Sequence, residues 1–452
     1  MLKSSNIQQD LELVNKIKLG KLKISIYGLG HVGGPMAAVW LRAGAHVIGV
    51  DKSSKVTEAA KKGIALIPEP GLSKAYLDGI KSNRLVIEDD PVLASQESYF
   101  KMICVPVLSN NRSADFSILQ DVVTSIGKGL KKNDVISLNP SVPPGTTEDL
   151  VIPLLEKESG LDVRHDFCVI YNPERIYEGQ AIKDIENNYP AIVSSIGRNS
   201  INISVTLYSI IFKKGVFLIN NIKTAETEKL LEGVYRDVNI ALANEMAKFC
   251  EVIGVDFWEA RMAANSQPFC HIHKAGIGVG GACIPIYPQF ILDVARKKKI
   301  SCEITEKSRD INESMPLYCV KNALKLIKNL DITKSIVTLL GLAFRGDVSD
   351  TRLSPTYEVI KILRKHAVKE IKVHDPYVKE DPNIPTNVLL TSNILDSIDG
   401  SNLIILIADH SEYKTLGSDF FGRIPVYDGR GILNRSLTSK SKIAILGVHD
   451  NG

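Results

Sequence analysis

The 452-residue chain has almost no surplus of charge: 55 Lys+Arg against 51 Asp+Glu leave a formal net charge of +4. So small an excess on so long a chain argues against a nucleic-acid or anionic-lipid surface, and leaves room only for a local basic pocket. No apolar run approaches the roughly 18 to 20 residues of a membrane helix. The opening MLKSSNIQQDLELVNKIKLG is polar and lacks the apolar stretch of a secretory signal. The expectation is a soluble, cytoplasmic protein without a membrane partner, with residues 1–20 as a polar tail. Cysteine is sparse as well. The seven cysteines (104, 168, 250, 270, 283, 302, 319) are odd in number and show no Cys-x-x-Cys spacing, which fits neither a disulfide framework nor a zinc ribbon. His271 and His273 alternate in an extended segment with Cys270 beside them but no acidic neighbour, too small a set for a metal site, so no metal is expected.

What is present is ordinary globular composition, 44% hydrophobic and 23% charged, at a length that suggests about three domains. Apolar runs at Ile24–Tyr27, His46–Val50, Tyr99–Val105, Val135–Leu138 and Phe167–Tyr171 alternate with helical segments such as Ser117–Leu130. That alternation predicts a mostly parallel sheet covered on both faces. From Lys223 to Ile253 apolar positions recur at helical spacing and predict one long helix, with Gly233 as its weak point. Near Lys334 the strand–helix alternation restarts. The class is therefore α/β: a first α/β domain at 21–205, a central all-helical domain at 206–315, and a second α/β domain at 316–452.

Gly28-Leu29-Gly30-His31-Val32-Gly33 follows a strand and opens a helix. In this setting the first glycine permits the turn, the second lets backbone approach a pyrophosphate, and the third allows close helix packing. The helix N-terminus offers N–H groups to the anion. Asp51 closes the next strand, 23 positions after Gly28, near the spacing expected of a carboxylate that holds a ribose diol and favours NAD over NADP. The first domain thus reads as Rossmann-like, and the expected cofactor is NAD.

In KAGIGVGGACIP, Lys274–Pro285, a cysteine follows four glycines and precedes a proline. Glycines let backbone wrap closely around a ligand, and a cysteine presented there can act as a nucleophile. A dinucleotide turn with a nucleophilic thiol suggests oxidation of an alcohol to an acid through a thiohemiacetal and a thioester.

With these motifs, IPEPGL at 67–72, SVPPGTT at 141–147, NPERI at 172–176, AETEK at 225–229 and GLAFRGDVSDTRLSP at 341–355, the chain resembles the UDP-glucose/GDP-mannose 6-dehydrogenases from Lys23 to about Val448. YRDVNIALANE at 235–245 and the wording of the cysteine loop look most like the branch acting on UDP-N-acetylmannosamine or UDP-N-acetylglucosamine. The resemblance implies an N-terminal NAD domain, a central helical domain that forms a homodimer, and a C-terminal Rossmann-like domain that binds UDP-sugar. It implies a double oxidation of C6 to a uronic acid, with two NAD and one water.

Carried over by position, Cys283 is the nucleophile, Lys229 the acid/base or oxyanion-stabilising ammonium, and Glu174 the acid that handles the hydrolytic water, with Glu178 nearby. Arg175, Ile176, Lys229, Arg236, Gly280, Phe344 and Arg345 correspond to substrate-contacting positions. Gly28, Gly30, His31, Val32, Gly33, Asp51, Ser141 and Arg352 correspond to the cofactor side. The sequence departs from the family wording at Gly233, where an asparagine one turn after the lysine is usual, and at Tyr287, where an aspartate is usual. Val107, Ala282, Gln267 and Phe269 also replace a threonine, two histidines and an arginine. Losing one positioned donor costs about 10²–10³ in kcat, so restoring the asparagine in Gly233→Asn is expected to raise turnover if its absence limits the reaction. The preferred substrate is UDP-N-acetylmannosamine. UDP-N-acetylglucosamine, UDP-glucose, and a nucleotide-sugar and NAD binder with little turnover stay open as alternatives.

Overall fold

Side chains of the first strand alternate between two cores. Ile24 and Ile26 enter one and Tyr27 the other, and the same division runs through Phe100 and Met102 against Ile103. Burial on both faces is what a parallel sheet between helical layers requires. The computed structural model describes residues 4–110, 112–416, 418–433 and 442–449, in two compact units, Met1–Leu231 and Glu232–Gly452.

In the first unit the strands are β1 (Lys23–Tyr27), β2 (His46–Val50), β3 (Leu85–Ile87), β4 (Phe100–Ile103), the hairpin β5 (Leu108–Asn110) and β6 (Ser113–Asp115), β7 (Val135–Leu138), β8 (Cys168–Tyr171), β9 (Ala191–Gly197) and β10 (Val216–Leu218). Eight of them form one sheet in the order β10-β9-β8-β7-β4-β1-β2-β3. Every pairing in it is parallel except β8 with β9. The helices are α1 (Ser4–Lys18), α2 (Gly33–Arg42), α3 (Ser54–Lys61), α4 (Leu72–Lys81), α5 (Pro91–Glu97), α6 (Ser117–Gly129), α7 (Ile152–Ser159), α8 (Ala181–Lys183) and α9 (Ser200–Ile211). Residues 4–18, expected as part of a polar tail, form a helix because Ile17 is fully buried and Leu13 packs on the same core. Residues 1–3 of that tail lie outside the described residues. The start of α5 is set by Asp90, whose carboxylate accepts from the N–H groups of Val92 and Leu93 at 2.8 and 3.3 Å, with Pro91 in the first turn.

Helix α10 (Ile222–Ile253) starts in the first unit, continues into the second, and runs through Gly233 without interruption for 32 residues. The second unit continues with α11 (Phe257–Ala264), α12 (Tyr287–Lys298) and α13 (Glu303–Lys325), then β11 (Ile336–Leu340), α14 (Pro355–Lys365), β12 (Glu370–His374), β13 (Val388–Thr391), α15 (Ile394–Ile398), β14 (Leu403–Leu406), α16 (Ser411–Lys414), β15 (Val426–Asp428) and β16 (Ile443–Ile445). Its six strands are all parallel, in the order β13-β12-β11-β14-β15-β16. The order reverses between β11 and β14, the switch point at which open α/β sheets take ligands beyond the carboxyl ends of their strands.

Candidate active site

In the first unit, strand ends β1, β4, β7 and β8 meet at one edge. The turn after β1 uses its three glycines differently. Gly28 has φ +93°, a left-handed conformation that excludes most side chains. A Cβ on Gly33 would lie 1.8 Å from the Gly28 carbonyl oxygen, so α2 packs directly against the turn. A Cβ on Gly30 would meet nothing within 4 Å: the protein leaves that space open, as close approach of a pyrophosphate demands. Val32 caps α2 and its carbonyl accepts from the N–H of Met36. Asp51, half-buried past β2, accepts from the N–H of Leu29 at 2.8 Å and of Ser53 at 2.9 Å, which orients its carboxylate beside the turn. Turn, open cradle and acid fit the adenosine and pyrophosphate of NAD.

The NPERI segment follows β8. Glu174 receives the N–H of Ile176, and the Arg175 guanidinium stands 5.3 Å above the Tyr189 ring. Glu178 approaches His31 of the glycine turn, Oε1 to Nδ1 3.4 Å. Four residue positions expected at the site, His31, Glu174, Arg175 and Ile176, therefore belong to neighbouring loops of one sheet edge. Ser141 opens the loop after β7, and that loop is pinned by a residue the sequence reading passed over. Glu226 in AETEK is fully buried and accepts from Gly145 N at 2.5 Å, Thr147 N at 2.8 Å and Thr147 Oγ1 at 2.6 Å. Burial raises its pKa, and the Thr147 and Gly145 donors oppose the rise. Lys229, on the next turn of α10, is 8% exposed.

Cys283, Arg236, Gly280, Phe344, Arg345 and Arg352 belong to the second unit. The cysteine loop is held at its start by a buried polar chain. Arg309 donates to Asp237 at 2.5 Å, Asn312 donates to Asp237 at 2.8 Å, Asn244 donates to Asn312 at 2.9 Å, and Gly276 N donates to Asn244 at 2.8 Å. Asp237 and Asn244 both lie in the YRDVNIALANE block, whose role here is thus to anchor the loop. The glycines that follow serve protein packing as well as any ligand. A Cβ on Gly280 would lie 2.7 Å from both Leu353 O and Phe344 Cβ, and one on Gly281 would lie 2.9 Å from Phe344 Cε2. Gly281 N donates to Arg352 O at 2.8 Å, while the Arg352 side chain pairs with Asp350 through Nε at 2.9 Å. Cys283 itself is exposed, whereas the other six cysteines are buried or half-buried. Arg236 is exposed on α10, close enough to His273 to help hold that imidazole's pKa down, a shift led by burial and His271.

The second sheet repeats the first one's turn with a different outcome. Asp375, past β12, stands where Asp51 stands past β2, but it is fully buried and saturated. It accepts from Leu342 N, Ala343 N, Tyr377 N and Val378 N, and from His410 Nε2 at 3.1 Å. His410 Nδ1 accepts the Asp347 N–H at 3.0 Å, which leaves Nε2 as the protonated nitrogen. Asp375 has no oxygen left for a ribose; it shapes the loop that carries Phe344 and Arg345, whose guanidinium lies 5.9 Å from the Phe344 ring centre.

At the switch point Asp409 accepts from Gly346 N at 3.0 Å and Arg430 Nη2 at 3.2 Å. Burial works against its charge, but Arg430, Gly346 N–H and Lys274 outweigh it and pull the carboxyl down to about 2. Lys274, Arg345 and Arg430 thus supply cations to the edge where a diphosphate would be received. Lys274 and Arg430 were missed because their signal is strand order, which no local motif carries. Among the described residues no cluster of His, Cys, Asp or Glu could hold a metal ion, and no helix is long and apolar enough to cross a membrane.

Three family domains match in order: the NAD binding domain of the UDP-glucose/GDP-mannose dehydrogenase family over residues 22–212, its central domain over 223–314 and its UDP binding domain over 338–435. A UDP-N-acetyl-D-mannosamine dehydrogenase of Methanocaldococcus jannaschii is 33% identical, over 97% of this chain and 99% of its own. The solved UDP-D-ManNAc dehydrogenase of Pyrococcus horikoshii superposes with a TM-score of 0.87 at 31% identity, over 94% and 99% of the two chains. The UDP-N-acetyl-mannosamine dehydrogenase of Staphylococcus aureus gives 0.83 at 28%, over 94% and 98%. The dinucleotide turn, the glycine-bedded cysteine loop and the second nucleotide-binding sheet are thus the parts of one enzyme, and the chain belongs to the UDP-glucose/GDP-mannose dehydrogenase family as an NAD-dependent UDP-sugar dehydrogenase.

Proposed function

We propose that the chain oxidises C6 of UDP-N-acetyl-D-mannosamine twice, to the uronate, and that Cys283 carries the acyl group. The observation that bears most weight is Cys283 itself: alone among seven cysteines it is exposed, on a loop bedded against Phe344 of the UDP-binding domain. The choice of sugar rests on relatives of about one-third identity named for that substrate. NAD supplies the hydride acceptor for both oxidations. The Cys283 thiolate adds to the C6 aldehyde, and after the second oxidation holds the acid as a thioester until water releases it. The Lys229 ammonium stabilises alkoxide charge at C6, and Glu174 takes the proton of the attacking water. Arg175, Ile176, Arg236 and Gly280 contact the sugar; Phe344 and Arg345 receive the uridine diphosphate. Gly28, Gly30, His31, Val32, Gly33, Asp51, Ser141 and Arg352 serve the cofactor.

The working form is a cytoplasmic homodimer. Along α10, Tyr235, Leu242 and Phe249 are exposed at seven-residue spacing, flanked by Leu231 and Val252. An apolar stripe at this spacing supports the pairing of two such helices.

The test is the yield of NADH per sugar consumed, with UDP-N-acetylmannosamine, UDP-N-acetylglucosamine and UDP-glucose in parallel. Two NADH per molecule on the first substrate alone supports the reading, and two on another sugar transfers the specificity. Cys283→Ser should retain NAD binding and form no uronate. Full uronate production by that variant would remove the thioester route.

A further inference from the structure

Tyr287 is the first residue of α12, four positions after Cys283, and its side chain is buried. A Cβ placed on Gly233 of α10 would lie 2.5 Å from Tyr287 Cδ2, 3.0 Å from its Cβ and 3.1 Å from its Cγ. Gly233 lies inside a 32-residue helix with no positive φ that would call for glycine. Glycine is a poor residue for a helix interior, and at this position the tyrosine ring is what occupies the space a side chain would need. The other end of Tyr287 holds the cysteine: the N–H groups of Ile286 and Tyr287 are both donated to the Cys283 carbonyl at 3.0 Å. Between the Asn244 anchor at Gly276 and this turn, the loop is held by the buried Ile277 side chain and by Gly281 N–H on Arg352 O, and the Tyr287 turn is what holds its Cys283 end.

We propose that Tyr287 is a positioning residue for the Cys283 thiol, its ring seated in a notch that Gly233 opens in α10. This rests on Cys283 being the nucleophile. The two departures from family wording, 54 positions apart in sequence, are then one matched pair. The seat reverses the expectation that Gly233→Asn raises turnover, since any side chain at 233 displaces the ring that holds the loop.

The experiment is a mutant cycle on the full-length enzyme, with UDP-N-acetylmannosamine as substrate and NAD affinity measured separately. Tyr287→Phe keeps the ring and should stay within about threefold of the parent in kcat. Tyr287→Ala should lose roughly tenfold or more in kcat, as displaced reacting groups do, with NAD affinity unchanged. Gly233→Ala, ordinarily favourable inside a helix, should also lose kcat, and should cost nothing further in the Tyr287→Ala background. Tyr287→Leu replaces Tyr287→Ala if that variant does not fold. Parental kcat in Tyr287→Ala, damage in Tyr287→Phe equal to that in Tyr287→Ala, or additive losses at the two positions would each overturn the proposal. Cys283→Ser, run alongside, separates the two levels. If it still makes uronate, the assignment of the nucleophile fails. If it makes none while Tyr287→Ala is normal, only the positioning role fails.

Discussion

Gly30→Ala and Gly33→Ala each add one methyl group to the same turn, and the structure predicts opposite outcomes. The Cβ of Gly33→Ala would sit 1.8 Å from the Gly28 carbonyl oxygen and 3.0 Å from the Cys104 Cβ. The first of these is backbone, so relief requires α2 to move away from β1. Overpacking of this kind costs about 1–3 kcal/mol, and a contact this short belongs at the top of that range. At about 2–4 °C per kcal/mol for a domain of this size, Tm should fall by about 6–12 °C. The Cβ of Gly30→Ala meets nothing within 4 Å, and the backbone there is not left-handed. The unbound protein should gain about 0.4–1 kcal/mol through the lower entropy of its unfolded chain. The same methyl stands where a pyrophosphate approaches the backbone, so NAD affinity should drop tenfold or more, about 1.4 kcal/mol. Thermal denaturation without ligand and calorimetric NAD titration separate the two effects. Parental NAD affinity in Gly30→Ala, or parental Tm in Gly33→Ala, would refute the reasoning.

Asp51→Ala should weaken NAD by about tenfold, one charge-assisted hydrogen bond, and unchanged affinity would place the ribose elsewhere. Arg430→Ala should weaken binding of UDP alone by about the same factor while leaving NAD untouched, and should raise the Asp409 carboxyl from about 2; a UDP titration identical to the parent's contradicts it. Lys101 and Asp134 form a buried pair at 2.8 Å. Asp134→Ala and Lys101→Met alone should each cost about 3–5 kcal/mol in a denaturant titration, because each leaves the other charge buried without its partner, whereas Lys101→Met and Asp134→Leu together should be neutral or stabilising. Burial pushes the Lys101 ammonium down to about 8, with Asp134 opposing. A lysine with a depressed folded pKa contributes stability above its unfolded value of about 10.4 and loses it as pH falls through 8. The stability of the parent relative to the Lys101→Met, Asp134→Leu double variant should therefore rise from about pH 8 to about 10.4, and a constant difference across that range would disprove it.

The glycine turn and Asp51 were legible because both act within one strand–helix–strand stretch, where a few adjacent residues decide the backbone. Strand β2 falls at His46–Val50 as the pattern predicts, and α10 follows its apolar periodicity to Ile253. The N-terminal helix was not legible, because its few apolar residues become informative only when Ile17 and Leu13 find a core to enter. Asp375 illustrates the harder case. In sequence it imitates Asp51 past a similar turn, and only the donors around it show that its oxygens are spent on the protein.

The sequence by itself determined the two Rossmann-like halves, the cofactor, the cysteine on its glycine bed and the family. Those features are written in local backbone demands and in motifs of a few residues. The tertiary structure decided what the motifs do for one another: Glu226 pinning the Ser141 loop, Asp237 and Asn244 anchoring the cysteine loop, Arg430 reaching the switch point, and Tyr287 filling the space at Gly233. Each is a contact between residues far apart in the chain. Hydrogen bonds and packing act over a few ångströms of space, and separation along the chain carries no information about which residues will share them.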